Sequence, residues 1–234
     1  MSKVRALILI LSSVILAVSA KAEPVQTVNS TALIVTHASN YWDPEHLVRA
    51  PINNLIRSFK ERNLPVFGLI SEPLTQVEAD PSSFPDLFNQ IQLAKSWGGE
   101  HSFGDGIDTF VMTGGNLLAC SCKSIRSILE QSSSQHTKQF YLVMDAFYEY
   151  GSNSVVPWEI SQYKKRIDQL SLLMSDEDFM RFVKKDYQCR NYKGETWPEG
   201  KYLVYRHGKF LGEFGSGTRV VHFRFELAKD LPIF

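Results

Sequence analysis

Residues 107–126 read IDTFVMTGGNLLACSCKSIR, and the rest of the chain is interpreted outward from this stretch. It begins with an apolar run, Thr109 to Met112, which is typical of a buried strand. Gly114 and Gly115 then allow a sharp turn, and a segment with helical spacing follows. Cys120 therefore falls at the junction of a strand and a helix, where backbone N–H groups and the helix dipole favour a thiolate. The stretch predicts a nucleophilic cysteine, with a buried inert thiol as the alternative.

The segments around this stretch alternate between strand-like and helix-like patterns. In chain order we predict a strand at Thr31–Thr36, a helix from Pro51, a strand at Pro65–Ile70, a helix at Asp86–Lys95, a helix at Ser124–Glu130 and a strand at Gln139–Met144. Continuous apolar strands are typical of parallel sheets covered on both faces, and parallel strands need helical crossovers. The fold class predicted is therefore α/β, with a doubly wound, mainly parallel sheet.

The composition changes after Gly151, where a C-terminal extension begins. We predict helices at Trp158–Met174 and from Ser175 to Lys185, a β-hairpin of residues 201–206 and 209–214 around His207-Gly208, and a strand at Thr218–Leu227. Ser175 and Asp178 have the spacing of a capping box at the start of the second helix. The sequence leaves open whether these strands extend the main sheet or form a small lobe.

The first residues have the pattern of a signal peptide. Lys3 and Arg5 precede an apolar run from Ala6 to Val18, and Ala20-Lys21-Ala22 fits a cleavage site. The apolar run is shorter than the roughly 20 residues of a membrane span, although an uncleaved N-terminal anchor remains the alternative. We therefore divide the chain into a signal peptide (1–22), an α/β core (23–151) and the extension (152–234). The protein is expected to be exported, to a periplasm or outside the cell, without stable membrane insertion.

The charge of the chain argues against a nucleic-acid partner. The whole chain has a formal net charge of 0, and removal of residues 1–22 takes away three basic residues and no acidic one, which leaves −3. A mildly acidic protein without a basic stripe lacks the electrostatic footprint of nucleic-acid binding. The oligomeric state is not predicted by any pattern in the sequence.

Residues 31–150 resemble the isochorismatase-like cysteine hydrolases. In that family the nucleophilic cysteine lies six positions after the glycine of a Thr-Gly pair, as Cys120 does after Gly114, and Ser124 stands where the family often has threonine. The family's first strand runs into an Asp-x-Gln-Asn-like loop. Here the corresponding loop is His37-Ala-Ser-Asn40, so Asn40 matches and His37 occupies the position of the catalytic aspartate.

The resemblance implies a hydrolase of small amides or esters whose nucleophile is Cys120. The family's base is an aspartate, and His37 would take that role here, since histidine accepts the proton of a thiol in other cysteine enzymes. The family's supporting lysine has no clear counterpart, and Lys95 is the nearest candidate. Residues expected to contact a small-molecule ligand are Asn40, Trp42, Gly114, Asn116 and Ala119. A catalytically silent protein that keeps the fold and binds a partner is the alternative function.

The three cysteines leave two pairings open. Cys120 and Cys122 are too close in sequence for an unstrained redox pair, so we favour a structural bridge between Cys122 and Cys189. Such a bridge leaves Cys120 free. His46, His101 and Asp105 match no known metal-ligand spacing, and no metal or other cofactor is expected.

Overall fold

The computed structural model describes most of the α/β core and of the extension. It covers residues 31–37, 49–71, 90–94, 103, 106–132, 137–147, 170, 173–189, 194 and 196–232. Asn40, Trp42, Lys95 and most of the helix predicted at Trp158–Met174 lie outside these residues.

The described strands form one eight-stranded sheet. The strands are β1 Thr31–Thr36, β2 Val66–Ser71, β3 Gln90–Ala94, β4 Thr109–Gly114, β5 Lys138–Val143, β6 Gly200–Arg206, β7 Lys209–Ser216 and β8 Val220–Glu226. Their order across the sheet is β3-β2-β1-β4-β5-β8-β6-β7, and every neighbouring pair is parallel except β6 with β7. The prediction of a mainly parallel α/β sheet is confirmed.

Three α-helices accompany the described part of this sheet. They are α1 Arg49–Glu61, α2 Cys122–Gln131 and α3 Asp176–Lys185, with a π-helical turn at Leu117–Ser121 and single 3₁₀ turns at Met144–Ala146 and Ala228–Asp230. The inner face of α1 is the predicted one: Ile52, Leu55, Ile56 and Phe59 are buried.

The sheet is wound in two directions from its centre. The β1–α1–β2 unit moves towards one edge, whereas β4–α2–β5 moves towards the other. Since such crossovers are right-handed, α1 and α2 lie on opposite faces of the sheet. The direction of winding reverses between β1 and β4, and the carboxyl ends of strands at such a point are where α/β proteins bind ligands.

The helix predicted at Asp86–Lys95 is wrong, because residues 90–94 form strand β3. The spacing of Leu87, Phe88 and Ile91 suited a helix, but Ile91 and Leu93 also alternate with glutamines, as in a strand. Short apolar segments fit both periods. The tertiary structure decides in favour of the strand, since β3 supplies a parallel partner for β2, in the register Phe67 with Gln90.

The C-terminal strands extend the main sheet. Strand β8 pairs in parallel with β5 on one side and with β6 on the other. The aromatic ring of Phe223 on β8 lies 6.1 Å from that of Phe140 on β5 and 5.4 Å from that of Tyr202 on β6, measured between ring centroids. Side chains of both parts of the chain thus form one hydrophobic core.

Local signals in the extension are confirmed. Ser175 caps α3 by accepting a hydrogen bond from the backbone N–H of Asp178 (3.1 Å). The hairpin turns at His207 and Gly208, whose φ angles are +49° and +71°, as a two-residue type I′ turn requires. No helix among the described residues is long and apolar enough to span a membrane.

Arg206, the last residue of β6, connects the sheet to the beginning of α3. Its buried guanidinium donates hydrogen bonds to the carbonyl oxygen of Met174 (2.9 Å) and to a carboxylate oxygen of Asp176 (2.5 Å). The same group stacks 4.7 Å from the centre of the Phe179 ring. Asp176 also binds Lys209, and hydrogen bonds from Lys209 and Arg206 lower the pKa of the Asp176 carboxyl.

A disulfide joins the core to the extension. The structure pairs Cys122, the first residue of α2, with Cys189, which lies shortly after α3 and 67 residues away. Cys120 is the remaining, free cysteine. The bridge therefore closes a long loop, and closing such a loop restricts the unfolded chain.

Removal of this disulfide should destabilise the fold. We expect the double variant Cys122→Ser/Cys189→Ser to lose about 2–4 kcal/mol of unfolding free energy, because its unfolded chain regains the freedom of the long loop. Urea denaturation of the oxidised protein and of the variant measures the difference. Cys120→Ser is the matched control, because it retains the disulfide. Reduction of the disulfide should lower its unfolding free energy as much as it lowers that of the wild type. Equal stability of the double variant and the wild type would contradict a structural bridge.

Candidate functional site

The site is built where β1 and β4 end side by side. Thr36, the last residue of β1, lies opposite Gly114, the last residue of β4. His37 follows directly, and its backbone N–H donates to the carbonyl oxygen of Leu69 on β2 (2.9 Å). With a φ of +53°, His37 leaves the strand direction, and its side chain is buried at 3% exposure. The reversal point of the sheet therefore carries a buried histidine.

Two glycines allow β4 to end in close contact with β1. Gly114 and Gly115 have φ angles of +67° and +60°. A Cβ atom on Gly114 would lie 2.1 Å from the carbonyl oxygen of Thr36, which is far inside van der Waals contact. Only glycine fits this backbone, and the two strand ends remain paired because of it.

The chain then enters a π-helical turn before α2. The side-chain oxygen of Asn116 accepts from the backbone N–H of Leu118 (2.9 Å), and its carbonyl oxygen accepts from the N–H groups of Ala119 (3.2 Å) and Ser121 (3.1 Å). The helical segment therefore begins at Leu117, earlier than the predicted Ser124. Single π-turns occur often at functional sites.

Cys120 lies inside this turn and is fixed by its neighbours. Its carbonyl oxygen accepts from the Ser124 hydroxyl (3.1 Å), and the Ser121 hydroxyl donates to the carbonyl oxygen of Gly114 (3.3 Å). The Cys120 side chain is free and 7% exposed. A Cβ on Gly115 would lie 3.3 Å from Cys120 Cβ and 3.0 Å from Thr36 Cγ2, so Thr36 and Cys120 flank the same glycine.

Several residues that the sequence predicts for the site lie together at this edge of the sheet. His37, Gly114, Asn116, Ala119 and Cys120 all belong to the ends of β1 and β4 or to the turn that follows. Their ligand contacts stay predictions. In the structure the Asn116 side chain acts as a cap, and the Ala119 N–H donates into the turn. Asn40 and Trp42 fall outside the described residues.

Thr36 was missed by the sequence analysis. It was read only as the end of an apolar strand, yet its side chain is 1% exposed and its hydroxyl has no hydrogen-bond partner among the described residues. The neighbouring Thr113 shows the usual arrangement, since its hydroxyl donates to the carbonyl oxygen of Ile34 (3.0 Å). The sequence did offer a signal for Thr36, because its hydroxyl directly precedes the candidate base His37.

The ionisable side chains Asp145 and Lys138 at the two ends of β5 serve structural contacts. Asp145, after β5, accepts from the backbone N–H of Ala228 (2.8 Å), and burial raises the pKa of its carboxyl. Lys138 lies at the opposite end of β5, where its ammonium donates to Asp108 (2.8 Å). Within the described residues, no group of three His, Cys, Asp or Glu side chains is placed to hold a metal ion.

A separate open depression of about 580 Å³ lies at the carboxyl ends of β5, β8 and β6. Its lining includes Tyr141, Arg224 and Glu226. Glu226 is 3% exposed and accepts from the backbone N–H of Gly208 (2.9 Å), so its carboxylate supports the hairpin turn. Burial raises the pKa of the Glu226 carboxyl.

Three solved structures resemble this chain. They are a "putative isochorismatase hydrolase" from Oleispira antarctica (16% identity, 63% of this chain and 91% of that one, TM-score 0.44), a "putative isochorismatase" from Burkholderia xenovorans LB400 (16%, 74% and 92%, 0.43) and MAR1 ribonuclease from Caenorhabditis elegans (12%, 61% and 75%, 0.40). No family model and no curated protein matches the sequence. Overlaps this low establish neither a family nor an activity for the chain.

The contact between Gly114 and Thr36 yields a stability prediction. Gly114→Ala should lower the unfolding free energy by roughly 2–4 kcal/mol, because the new Cβ clashes with backbone and the φ angle is unfavourable for alanine. Gly106→Ala is the matched control, since a Cβ there meets nothing within 4 Å. Urea denaturation of both variants measures the effect. Similar stabilities of the two variants would show that β1 and β4 do not approach as closely as described.

The buried Glu226 yields a prediction about pH. A carboxyl whose pKa is raised on folding binds more protons in the native than in the unfolded protein, so stability falls as pH rises through the interval above its ordinary value near 4.5. As pH rises from 4 to 7, the unfolding free energy of Glu226→Gln should fall by less than that of the wild type. Urea denaturation at pH 4, 5, 6 and 7 tests this, with the exposed Glu199→Gln as control. Parallel curves for the wild type and Glu226→Gln would contradict it.

Proposed function

We propose that this protein is a cysteine-dependent hydrolase of small amides or esters. The observation that carries the proposal is the position of Cys120: a free thiol in the helical turn after β4, at the point where the sheet reverses its winding. His37 lies at the adjacent strand end and is buried. A thiol and an imidazole at neighbouring strand ends have the chemistry of a nucleophile and its base.

The reaction runs in two stages. His37 accepts the Cys120 thiol proton, and the sulfur attacks the substrate carbonyl carbon to form a tetrahedral intermediate. The C–N or C–O bond then breaks, the leaving group takes the proton from His37, and a thioester remains on Cys120. Water, deprotonated by His37, hydrolyses the thioester to the carboxylic acid and frees the thiol. No metal or other cofactor takes part.

We also propose that the protein is exported. Residues 1–22 have the pattern of a signal peptide, as described above. The disulfide between Cys122 and Cys189 supports the same conclusion, because such bridges persist mainly in oxidising compartments. In that compartment Cys120 is the one unpaired thiol among the three cysteines of the chain.

The contacts of Asp145 and Lys138 favour a catalytically silent binding protein as the second candidate. Asp145 is engaged by the Ala228 backbone, and Lys138 lies at the far end of the sheet. Neither side chain is therefore placed as the aspartate or lysine that the resemblance implies. If His37 does not act as a base, the strand ends around Cys120 bind a small molecule without turning it over.

Acylation of Cys120 by p-nitrophenyl acetate tests the hydrolase. We expect a burst of one p-nitrophenolate per chain, followed by turnover, with an acetyl group on the peptide that carries Cys120 by mass spectrometry. Cys120→Ser should abolish the burst. His37→Gln should slow acylation about 10²–10⁴-fold, as the loss of a general base does.

Two controls separate chemistry from folding. Lys123→Ala, at an exposed position of α2, should retain the full burst, and thermal denaturation should show that the Cys120 and His37 variants are folded. Equal acylation rates for the wild type and Cys120→Ser would contradict the proposal of a cysteine hydrolase. Saturable ligand binding without acylation would then support the silent protein.

A further inference from the structure

We propose that the Thr36 hydroxyl is the hydrogen-bond donor that stabilises the oxyanion formed when Cys120 attacks a carbonyl group. This inference rests on the proposed function, because it requires Cys120 to act as a nucleophile. The family resemblance described above assigns no role to Thr36 at the end of β1.

The first observation is the state of the hydroxyl itself. Thr36 is 1% exposed, and its Oγ1 atom has no hydrogen-bond partner among the residues that the structure describes. Burial of an unpaired hydroxyl destabilises a protein, and buried polar groups are nearly always paired. Valine has almost the same shape and suits a buried strand better. The Thr36 hydroxyl is therefore a buried donor without a partner among the described residues, as expected of a group that binds a ligand.

The second observation is the location of the side chain. Thr36 Cβ and Cγ2 lie 3.1 and 3.0 Å from the position that a Cβ on Gly115 would occupy, and Cys120 Cβ lies 3.3 Å from the same position. The Thr36 and Cys120 side chains therefore pack against the same face of Gly115 and lie close to each other.

The third observation concerns the backbone donors of the turn. Backbone N–H groups around Cys120 are the other donors that an oxyanion at this turn could meet. In the structure the Leu118 N–H donates to the Asn116 side chain, and the Ala119 and Ser121 N–H groups donate to the Asn116 carbonyl oxygen. The N–H of Cys122 donates to the carbonyl oxygen of Ala119. The turn thus engages these four N–H groups itself, whereas the Thr36 hydroxyl has no partner among the described residues and is available to supply a hydrogen bond.

Hydrogen bonding to a developing oxyanion acts on the transition state more than on the bound carbonyl group. An aldehyde isolates this step. The Cys120 sulfur forms a bond to the aldehyde carbon, the C=O π bond opens, and the thiol proton ends on the former carbonyl oxygen through His37. The product is a hemithioacetal whose oxygen occupies the oxyanion position. Its formation consumes no oxidant and releases no leaving group.

The experiment compares two reactions of the same thiol in three proteins. Acetaldehyde labelled with ¹³C at its carbonyl carbon reports hemithioacetal affinity by NMR, and iodoacetamide reports alkylation, a displacement that builds no oxyanion. Both are measured on the wild type, on Thr36→Val and on Thr36→Ser. We expect Thr36→Val to weaken the aldehyde adduct roughly 3–10-fold, the effect of one hydrogen bond to a neutral hydroxyl. Its alkylation rate should stay within about twofold of the wild type, and Thr36→Ser should restore aldehyde affinity.

Thermal denaturation distinguishes this role from a structural one. Thr36→Val should have a melting temperature equal to or above that of the wild type, because it removes a buried unpaired hydroxyl. Equal aldehyde affinity in the wild type and Thr36→Val would overturn the oxyanion role while leaving the hydrolase intact. Equal losses in both reactions would also overturn it, since the hydroxyl would then act on the thiol and not on the oxyanion.

A different result marks failure of the proposed function. If the wild type forms no more hemithioacetal than Cys120→Ser, then Cys120 is not a nucleophile towards carbonyl groups, and both proposals fall together. The two kinds of failure are therefore distinguished by whether the wild-type adduct forms at all.

Discussion

The close approach of β1 and β4 at the centre of the sheet is the contact on which the site depends. The carbonyl oxygen of Thr36 lies so near Gly114 that any side chain would collide with it. This contact keeps the two strand ends paired at the point where the winding of the sheet reverses. It also brings His37, at the end of β1, to the same edge as the turn that carries Cys120. A wider separation of these strands would leave a histidine and a cysteine on unrelated loops.

The C-terminal extension stabilises this centre from the side. Strand β8 inserts between β5 and β6, so that residues distant in sequence share one sheet. Aromatic rings along Phe140, Phe223 and Tyr202 continue the core across that junction. The disulfide between Cys122 and Cys189 then attaches the first residue of α2 to the chain beyond α3. The same α2 follows Cys120 directly, so the extension restrains the helix that positions the candidate nucleophile.

The site shows how a protein can place polar groups in a buried, water-poor position. Asn116 satisfies the first donors of the helical turn, and Ser124 binds the carbonyl oxygen of Cys120. These hydrogen bonds fix the backbone around the thiol. The Thr36 hydroxyl is the exception, since no described group binds it. An uncompensated polar group beside a buried cysteine is the kind of local inconsistency that functional sites retain at the expense of stability.

Much of the fold was determined by the sequence alone. Continuous apolar runs predicted the buried strands β1 and β4, helical spacing predicted α1, and Ser175 with Asp178 predicted the start of α3. These features depend on neighbours a few residues apart, so periodicity and capping chemistry report them. The spacing of Gly114 and Cys120 likewise predicted a thiol at the junction of a strand and a helix.

Only the tertiary structure decided the rest. Residues 90–94 suited a helix as well as a strand, and pairing with β2 settled the choice. The C-terminal strands belong to the main sheet because β8 pairs with β5 on one side and with β6 on the other. No local sequence pattern encodes this pairing. The isolation of the Thr36 hydroxyl is of the same kind, since whether a buried polar group has a partner depends on atoms brought together from distant parts of the chain. Local sequence thus determined the elements and the thiol, whereas long-range contacts determined the sheet order and the surroundings of that thiol.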